Sequence, residues 1–279
     1  MNINTKYFAT ESTQGAAFNR ANILDEIIAA KRQEVALNKQ LHPVNDLENK
    51  PYFNRQTISL KQSLLQHSGI VAEFKRQSPS KGIINSSATV ASVVSAYDLN
   101  GAAGISVLTD TKYFGGTNQD LMDARIVSSK PILRKDFIID EYQLLEAKSI
   151  GADVILLIAA NLSVDEVKSL AAFAKSLQLE VLLEIHAEQE LEHICDEVDL
   201  IGINNRNLKN FEVNLEHSIR LASKLPAGKP KIAESGINTA DTILYLKQQG
   251  FDGFLIGEHF MKQPDPAIAF ANFINRLQW

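Results

Sequence analysis

Several residue types that would steer a functional reading are scarce in this chain. Among 279 residues there is one cysteine, Cys195, so an internal disulfide framework and a four-cysteine zinc site are both excluded. With no sequence partner to mark it as a nucleophile, Cys195 reads as a small core residue. Long apolar stretches are missing: the longest uninterrupted run, Val154 to Ala160, has seven residues, far short of the ~20 that a membrane-spanning helix needs. No basic segment followed by an apolar one opens the chain, so no secretion signal is expected and the cytoplasm is the expected compartment. Positive charge is also short. Lys plus Arg total 28 against 33 Asp plus Glu, a net charge of −5. That argues against a nucleic-acid binder held by bulk charge, while allowing a local basic pocket for a small anion. His186, His193, His217 and His259 lack metal-binding spacing such as His-Glu-x-x-His, so no metal is implied. Ser235 lacks a Gly-x-Ser-x-Gly context, which speaks against a serine hydrolase.

What is present is an ordinary globular composition, 45% apolar and 22% charged. Residues 1–20 show no sustained period and are rich in Thr, Ser, Asn and Gly, as expected of a flexible leader. From Asn22 the pattern changes. Ile23, Leu24, Ile27, Ile28 and Val35 recur at helical spacing, Asn22 can cap, and Asp25 and Glu26 suit the positive end of the helix dipole. A polar linker with Pro43 and Pro51 follows, then a short helical candidate from Ser59 to Gln66.

Beyond residue 69 the sequence alternates between short apolar runs and longer amphipathic stretches. The runs are Ile70–Phe74, Ile105–Thr109, Pro131–Lys135, Asp153–Ala159, Glu180–Ile185, Leu200–Asn204, Lys231–Ser235 and Gly253–Gly257. Their spacing leaves room for a helix and two loops each time, the signature of successive βα units and a parallel sheet. Asp140 to Ile150, carrying Tyr142, Leu145, Ala147 and Ile150 and stopped by Gly151, is one such helix. A weak repeat of helix stop, turn and buried strand begins at Gly101, Gly151 and Gly250, before runs two, four and eight. An open doubly wound sheet would alternate in the same way. Eight strands without a Gly-rich dinucleotide turn after the first favour closure, and the expected fold is a single (β/α)8 TIM barrel spanning 21–279, with an N-terminal helical extension over 21–69.

In such a barrel the chemistry belongs to the C-terminal tips of the strands. Glu73 and Lys75 share one strand face, as do Leu133 with Lys135, Leu182 with Glu184, and Gly202 with Asn204. Any one of these taken alone reads better as a solvated strand end. If those faces point inward, two lysines, two glutamates and an asparagine meet in one small volume, where charge must be paired. Ser235-Gly236 and Gly257-Glu258, at the tips of neighbouring strands, put small residues where backbone N–H groups can hold a phosphate. The loop Arg76-Gln77-Ser78-Pro79-Ser80-Lys81-Gly82 adds charge and hydroxyl donors beside strand eight, and its length suits a flap over a substrate.

Glu73-Phe-Lys-Arg-Gln-Ser-Pro-Ser-Lys-Gly82 resembles the signature of the indole-3-glycerol phosphate synthases. So do Ser106-Val-Leu-Thr109, Tyr113-Phe-Gly-Gly116, Leu133-Arg-Lys-Asp-Phe137, Leu183-Glu-Ile-His186, Gly202-Ile-Asn-Asn-Arg206, Phe211-Glu-Val213, Glu234-Ser-Gly-Ile237 and Ile256-Gly-Glu258. The resemblance implies closure of 1-(2-carboxyphenylamino)-1-deoxyribulose 5-phosphate to indole-3-glycerol phosphate, with loss of CO2 and water, in tryptophan biosynthesis. It implies Lys135 as general acid, Glu184 as the base of the dehydration, and Lys75 as a second lysine that contacts substrate anions or shares the acid role. Glu73 and Asn204 would orient the lysines and the sugar hydroxyls. Ser78 and Arg206 would bind substrate, while Ser235, Gly236, Gly257 and Glu258 would cradle the phosphate, Glu258 through its backbone.

Lys135 can act as an acid near neutral pH only if burial, or Lys75 and Arg206, lower its pKa; Glu73 and Glu184 oppose that. Two positions depart from the family pattern. Asn207 replaces a common Asp and removes a partner for Arg206, and Phe74 is bulky enough to bear on substrate fit. No cofactor is expected, and the expected partner is a small sugar-phosphate, with no nucleic acid, no membrane and a monomeric chain. Phosphoribosylanthranilate isomerase, or a noncatalytic sugar-phosphate-binding barrel, would share the phosphate cradle and stay open as alternatives.

Overall fold

The computed structural model describes residues 23–207 and 212–277. The expected leader, the cap at Asn22 and Phe211 lie outside them. Eight parallel strands close into a barrel: β1 (Ile70–Phe74), β2 (Gly104–Leu108), β3 (Ile132–Lys135), β4 (Val154–Ile158), β5 (Glu180–Ile185), β6 (Leu200–Asn204), β7 (Lys231–Glu234) and β8 (Gly253–Ile256). Each strand pairs with its sequence neighbours, and β1 closes on β8 with Ile70 opposite Phe254. Closure leaves no unpaired edge.

The strands are buried on both faces, and alternation sorts their side chains between two cores. Odd positions of β1 and β3 and even positions of β4 to β7 point inward, where Val71, Leu133, Val154, Leu156, Leu182, Leu200 and Ile232 fill the lumen. The opposite faces, with Phe74, Ile155, Val181 and Ile201, pack against the outer helices. Among the described residues, six of the seven connections between strands carry an α-helix, among them Val90–Leu99, Val164–Ser176 and Ala240–Gln248. The β5–β6 connection is the exception. It holds only the 3₁₀ segment Glu188–His193, because 186–199 is the shortest stretch between two strands and cannot fit a full helix and two turns. The repeat glycines Gly101, Gly151 and Gly250 all have left-handed φ, 86°, 97° and 85°, as helix-ending glycines do.

Among the described residues, three helices precede the barrel: α1 (Ile23–Leu41), α2 (Val44–Glu48) and α3 (Leu60–Gln66). Ser59 caps α3 by accepting from the Gln62 N–H, and α3 plugs the N-terminal mouth with Leu60 and Leu64. Gly104 and Gly253 admit it: a Cβ on Gly104 would lie 2.6 Å from Leu60, and one on Gly253 3.0 Å from Leu64. The opposite mouth is partly roofed by α1, whose buried stripe is Ile27, Lys31 and Val35. Among the described residues, no helix is long and apolar enough to cross a membrane.

Candidate active site

A cavity of about 310 Å³ opens at the C-terminal end of the barrel, lined by tips of β1, β3, β5, β6, β7 and β8. Its floor holds the charged residues the strand parity points to. Lys135 Nζ lies 3.0 Å from Glu184 Oε2. It also lies 2.5 Å from Glu234 Oε2. Across the lumen Lys75 Nζ lies 2.7 Å from Glu73 Oε1. Asn204 donates to Glu184 Oε1 at 3.0 Å, and its own side-chain oxygen accepts from the Arg206 backbone N–H at 3.0 Å. Glu73, Lys75, Lys135, Glu184 and Asn204 therefore meet in one volume.

Glu234 is the member that strand-tip reading left out. It follows Ile232 on the inward face of β7 and stands opposite Asn204 in the register. The same period-two rule that selects Glu184 selects it; attention to Ser235-Gly236 as a phosphate motif hid it. Its Oε1 is buried with no hydrogen-bond partner. Two glycines make room for these carboxylates, since a Cβ at Gly202 would collide with Glu234 and one at Gly257 would lie 2.5 Å from Glu73 Oε1.

Electrostatics here run against one expectation. Burial would lower the Lys135 pKa, but Glu184, Glu234 and Glu73 outweigh it and hold the lysine above its ordinary value. The lysine is not primed as a weak ammonium by Lys75 and Arg206; it rests fully charged between carboxylates. Glu184 is held well below the usual carboxylate range because Lys135, His186 and Asn204 overcome its burial. Glu234 goes the other way. Burial, with Glu184 and Glu73 nearby, outweighs the attraction of Lys135 and pushes its carboxyl up to about 7. His186 Nε2 lies 3.2 Å from Glu184 Oε1, although neither ring nitrogen makes an aligned hydrogen bond.

The rim carries the remaining predicted residues. Ser235 and Gly236 follow β7 with φ of 68° and 73°. A non-glycine residue in the left-handed region is uncommon, and such strain gathers at functional turns. Asn205 steadies the turn by donating to the Ser235 carbonyl at 2.8 Å. Gly257 and Glu258 sit at the adjacent tip of β8 and line the same cavity. The Glu258 side chain is not idle: its Oε2 lies 3.2 Å from Arg206 Nη2. This corrects the view that Asn207 leaves Arg206 short of an acid. The loop after β1 is a small hairpin, Gln77–Ser78 pairing with Gly82–Ile83, and Ser78 lines the cavity. Arg76 anchors it through two bonds to Asp120, of 2.6 and 2.8 Å.

Phe74 points away from the cavity into the outer core at 1% exposure, so its bulk does not bear on substrate fit. On the side of the cavity beneath α1, the lining turns apolar: Ile23, Leu24, Ile27, Phe114, Phe137 and Ile158. The site is thus a charged floor, a glycine-rich rim and an apolar wall. Among the described residues, no group of three or more His, Cys, Asp or Glu side chains converges as metal ligands would.

Comparison with known proteins agrees with this geometry. The family model for indole-3-glycerol phosphate synthase matches residues 24–273. An indole-3-glycerol phosphate synthase from Bacteroides thetaiotaomicron is 48% identical over 258 residues, which cover 92% of this chain and 99% of the relative. One from Polynucleobacter asymbioticus is 40% identical, covering 90% and 98%. Among solved structures, a mutant tryptophan synthase alpha-subunit from Pyrococcus furiosus superposes with a TM-score of 0.57 at 13% identity, covering 76% of this chain and 98% of that one; at that identity it shows the fold alone. With the family model spanning nearly the whole barrel and a relative close to half identical, the chain belongs to the indole-3-glycerol phosphate synthase family.

Proposed function

We propose that this site closes the indole ring of 1-(2-carboxyphenylamino)-1-deoxyribulose 5-phosphate with Lys135 as general acid and Glu184 as general base. The observation that carries this reading is a largely enclosed ammonium held within 3.0 Å of one carboxylate and 2.5 Å of a second at the floor of the pocket. The overall reaction turns an aryl carboxylate into neutral CO2, so one proton is taken up per turnover. Lys135 supplies it to the ketose oxygen as the aryl carbon bonds to the carbonyl carbon; that oxygen gains alkoxide character and so takes the proton even from a lysine whose pKa the carboxylates raise, and CO2 departs to restore aromaticity. Dehydration then needs a base for the ring proton and an acid for the leaving hydroxyl. Glu184, held ionised, is suited to the first. Glu234, with its carboxyl near 7, is suited to return a proton to Lys135 for the second.

The other residues divide by the parts of the substrate. The aryl ring suits the apolar wall of Ile23, Leu24, Ile27, Phe114 and Phe137. Ser235, Gly236, Gly257 and Glu258 offer the phosphate their backbone N–H groups, with Ser78 on the facing loop. Arg206 suits the carboxylate, and Lys75, oriented by Glu73, suits a second substrate anion or the sugar oxygens. Asn204 orients Glu184. Local cations at the floor and rim explain how a chain of net −5 takes a polyanionic small molecule and not a nucleic acid. The reading is completed by a monomer working in the cytoplasm.

The test is to incubate purified protein with the carboxyphenylamino-deoxyribulose phosphate, without added metal or nucleotide, and follow indole fluorescence. Indole-3-glycerol phosphate should appear. Tight binding without turnover would instead mark a noncatalytic sugar-phosphate barrel and overturn the proposal.

A further inference from the structure

Lys31 stands in the middle of the buried stripe of α1, one turn from Ile27 and one from Val35. Helical spacing calls for an apolar side chain there, and a buried lysine is tolerated only when its charge is matched. Its side chain is 1% exposed, and Nζ lies 2.9 Å from Asp136 Oδ1, 3.0 Å from Asp110 Oδ2 and 3.0 Å from Glu34 Oε1. Asp136 and Asp110 belong to the turns after β3 and β2, so one ammonium ties α1 to two neighbouring strand tips. The acids are held in turn. Asp110 caps the turn Thr111–Phe114 by accepting from the Tyr113 N–H. Asp136 accepts from Thr109 Oγ1 at 2.6 Å and lies 3.3 Å from Arg134 Nη2.

Lys31 itself does not line the cavity, although its partner Asp136 does, and it lies on the helix whose first turns supply Ile23, Leu24 and Ile27 to the pocket wall. An apolar contact alone fixes neither the rotation nor the height of a helix on a barrel rim. A lysine that must meet two fixed carboxylates fixes both. We infer that Lys31 is a positioning residue for substrate recognition: by pairing with Asp110 and Asp136 it seats α1 so that Ile23, Leu24 and Ile27 form the wall against the aryl ring. The inference rests on the ring-closing reading above, whose own test is wild-type turnover.

The experiment compares Lys31→Met with wild type in steady-state kinetics, and in calorimetric titration with indole-3-glycerol phosphate and with inorganic phosphate. The expected result is a KM raised about tenfold with kcat within about threefold, the pattern of lost uniform binding. Affinity for indole-3-glycerol phosphate should fall by about tenfold while that for inorganic phosphate, which touches only the rim, stays within about twofold. A merely structural role would lower thermal stability and leave the folded molecules with wild-type KM; that result, or an equal loss of phosphate affinity, overturns the inference. If Lys31→Met does not fold, Asp110→Asn decides. It keeps the cap, since Asn caps as well as Asp, and removes one partner of the pin. It should raise KM about threefold with kcat unchanged, and an unchanged KM overturns the inference.

Discussion

Acidic side chains are buried at the base of this barrel and on the floor of its cavity, and the two places treat them differently. At the N-terminal end Asp153 is fully enclosed, and each of its oxygens receives two donors. Oδ1 accepts from Arg55 Nη2 at 2.5 Å and the Ile58 N–H at 2.8 Å. Oδ2 accepts from Arg125 Nη1 and the Ile132 N–H, both at 2.8 Å. Glu180 likewise takes Ser59 Oγ and the N–H groups of Leu60 and Lys61. At the C-terminal end three glutamates share two lysines, and Glu234 Oε1 is left bare. Saturated acids clasp α3 and the linker onto the base of the barrel. Crowded acids with an open oxygen keep charge and proton affinity in reserve at the mouth, where a polar group lacking a partner is a loss for stability and a resource for chemistry.

If that division is right, substitutions at the two ends should fail in different assays. The largest effect belongs to Lys135→Ala. Turnover should fall by about a thousandfold or more, the range of a lost general acid, while far-UV circular dichroism keeps the wild-type shape. Near-wild-type activity would remove Lys135 as the acid. At the other end, Asp153→Asn strips the charge from a buried cluster with two arginines. Breaking such a pair costs about 3 kcal/mol or more, a fall in Tm of about 6–12 °C for a domain of this size. kcat and KM of the folded protein should not move. A kinetic change with unchanged Tm would show that the clasp reaches the mouth and would end the comparison.

How much of this could be read from the chain depends on the range of the interaction. Strand positions follow from local patterning, and all eight apolar runs fall on barrel strands, with ends displaced by no more than a residue, as Ile105–Thr109 against Gly104–Leu108. Period two then puts Glu73, Lys135, Glu184 and Asn204 on inward faces without knowledge of any partner. The same rule reaches Glu234 once β7 is taken to end on it. Lys31 was out of reach, because a lysine within an apolar stripe is meaningful only with Asp110 and Asp136 in place, and nothing local brings residues 31, 110 and 136 together. The direction of the Lys135 pKa was hidden for the same reason. It depends on which of several nearby charges lie closest, and the carboxylates do. Arg206 shows the limit from the other side: the neighbour in sequence, Asn207, suggests a missing acid, while the acid comes from Glu258 on a strand tip two strands away.

The smallest expected effect is the one that tests the reserve itself. In the unfolded chain Glu234 has an ordinary carboxyl; in the barrel, burial and the charges of Glu184 and Glu73 push it up to about 7. Between roughly pH 4.5 and 7 the native state therefore holds a proton that the unfolded state has released, and stability falls as pH rises through that window. Below it both states are protonated at this position and the penalty vanishes. Above it the native carboxylate bears the full cost of being ionised beside other acids. Glu234→Gln retains the shape and removes the ionisation. Its unfolding free energy should match wild type near pH 4.5 and exceed it at pH 8, by an amount on the order of 1–3 kcal/mol. Thermal unfolding across that range measures it. A variant that is less stable than wild type at pH 8 would mean that Lys135 binds the ionised Glu234 more strongly than burial and the other glutamates oppose it, and the mouth would then be as well matched as the base.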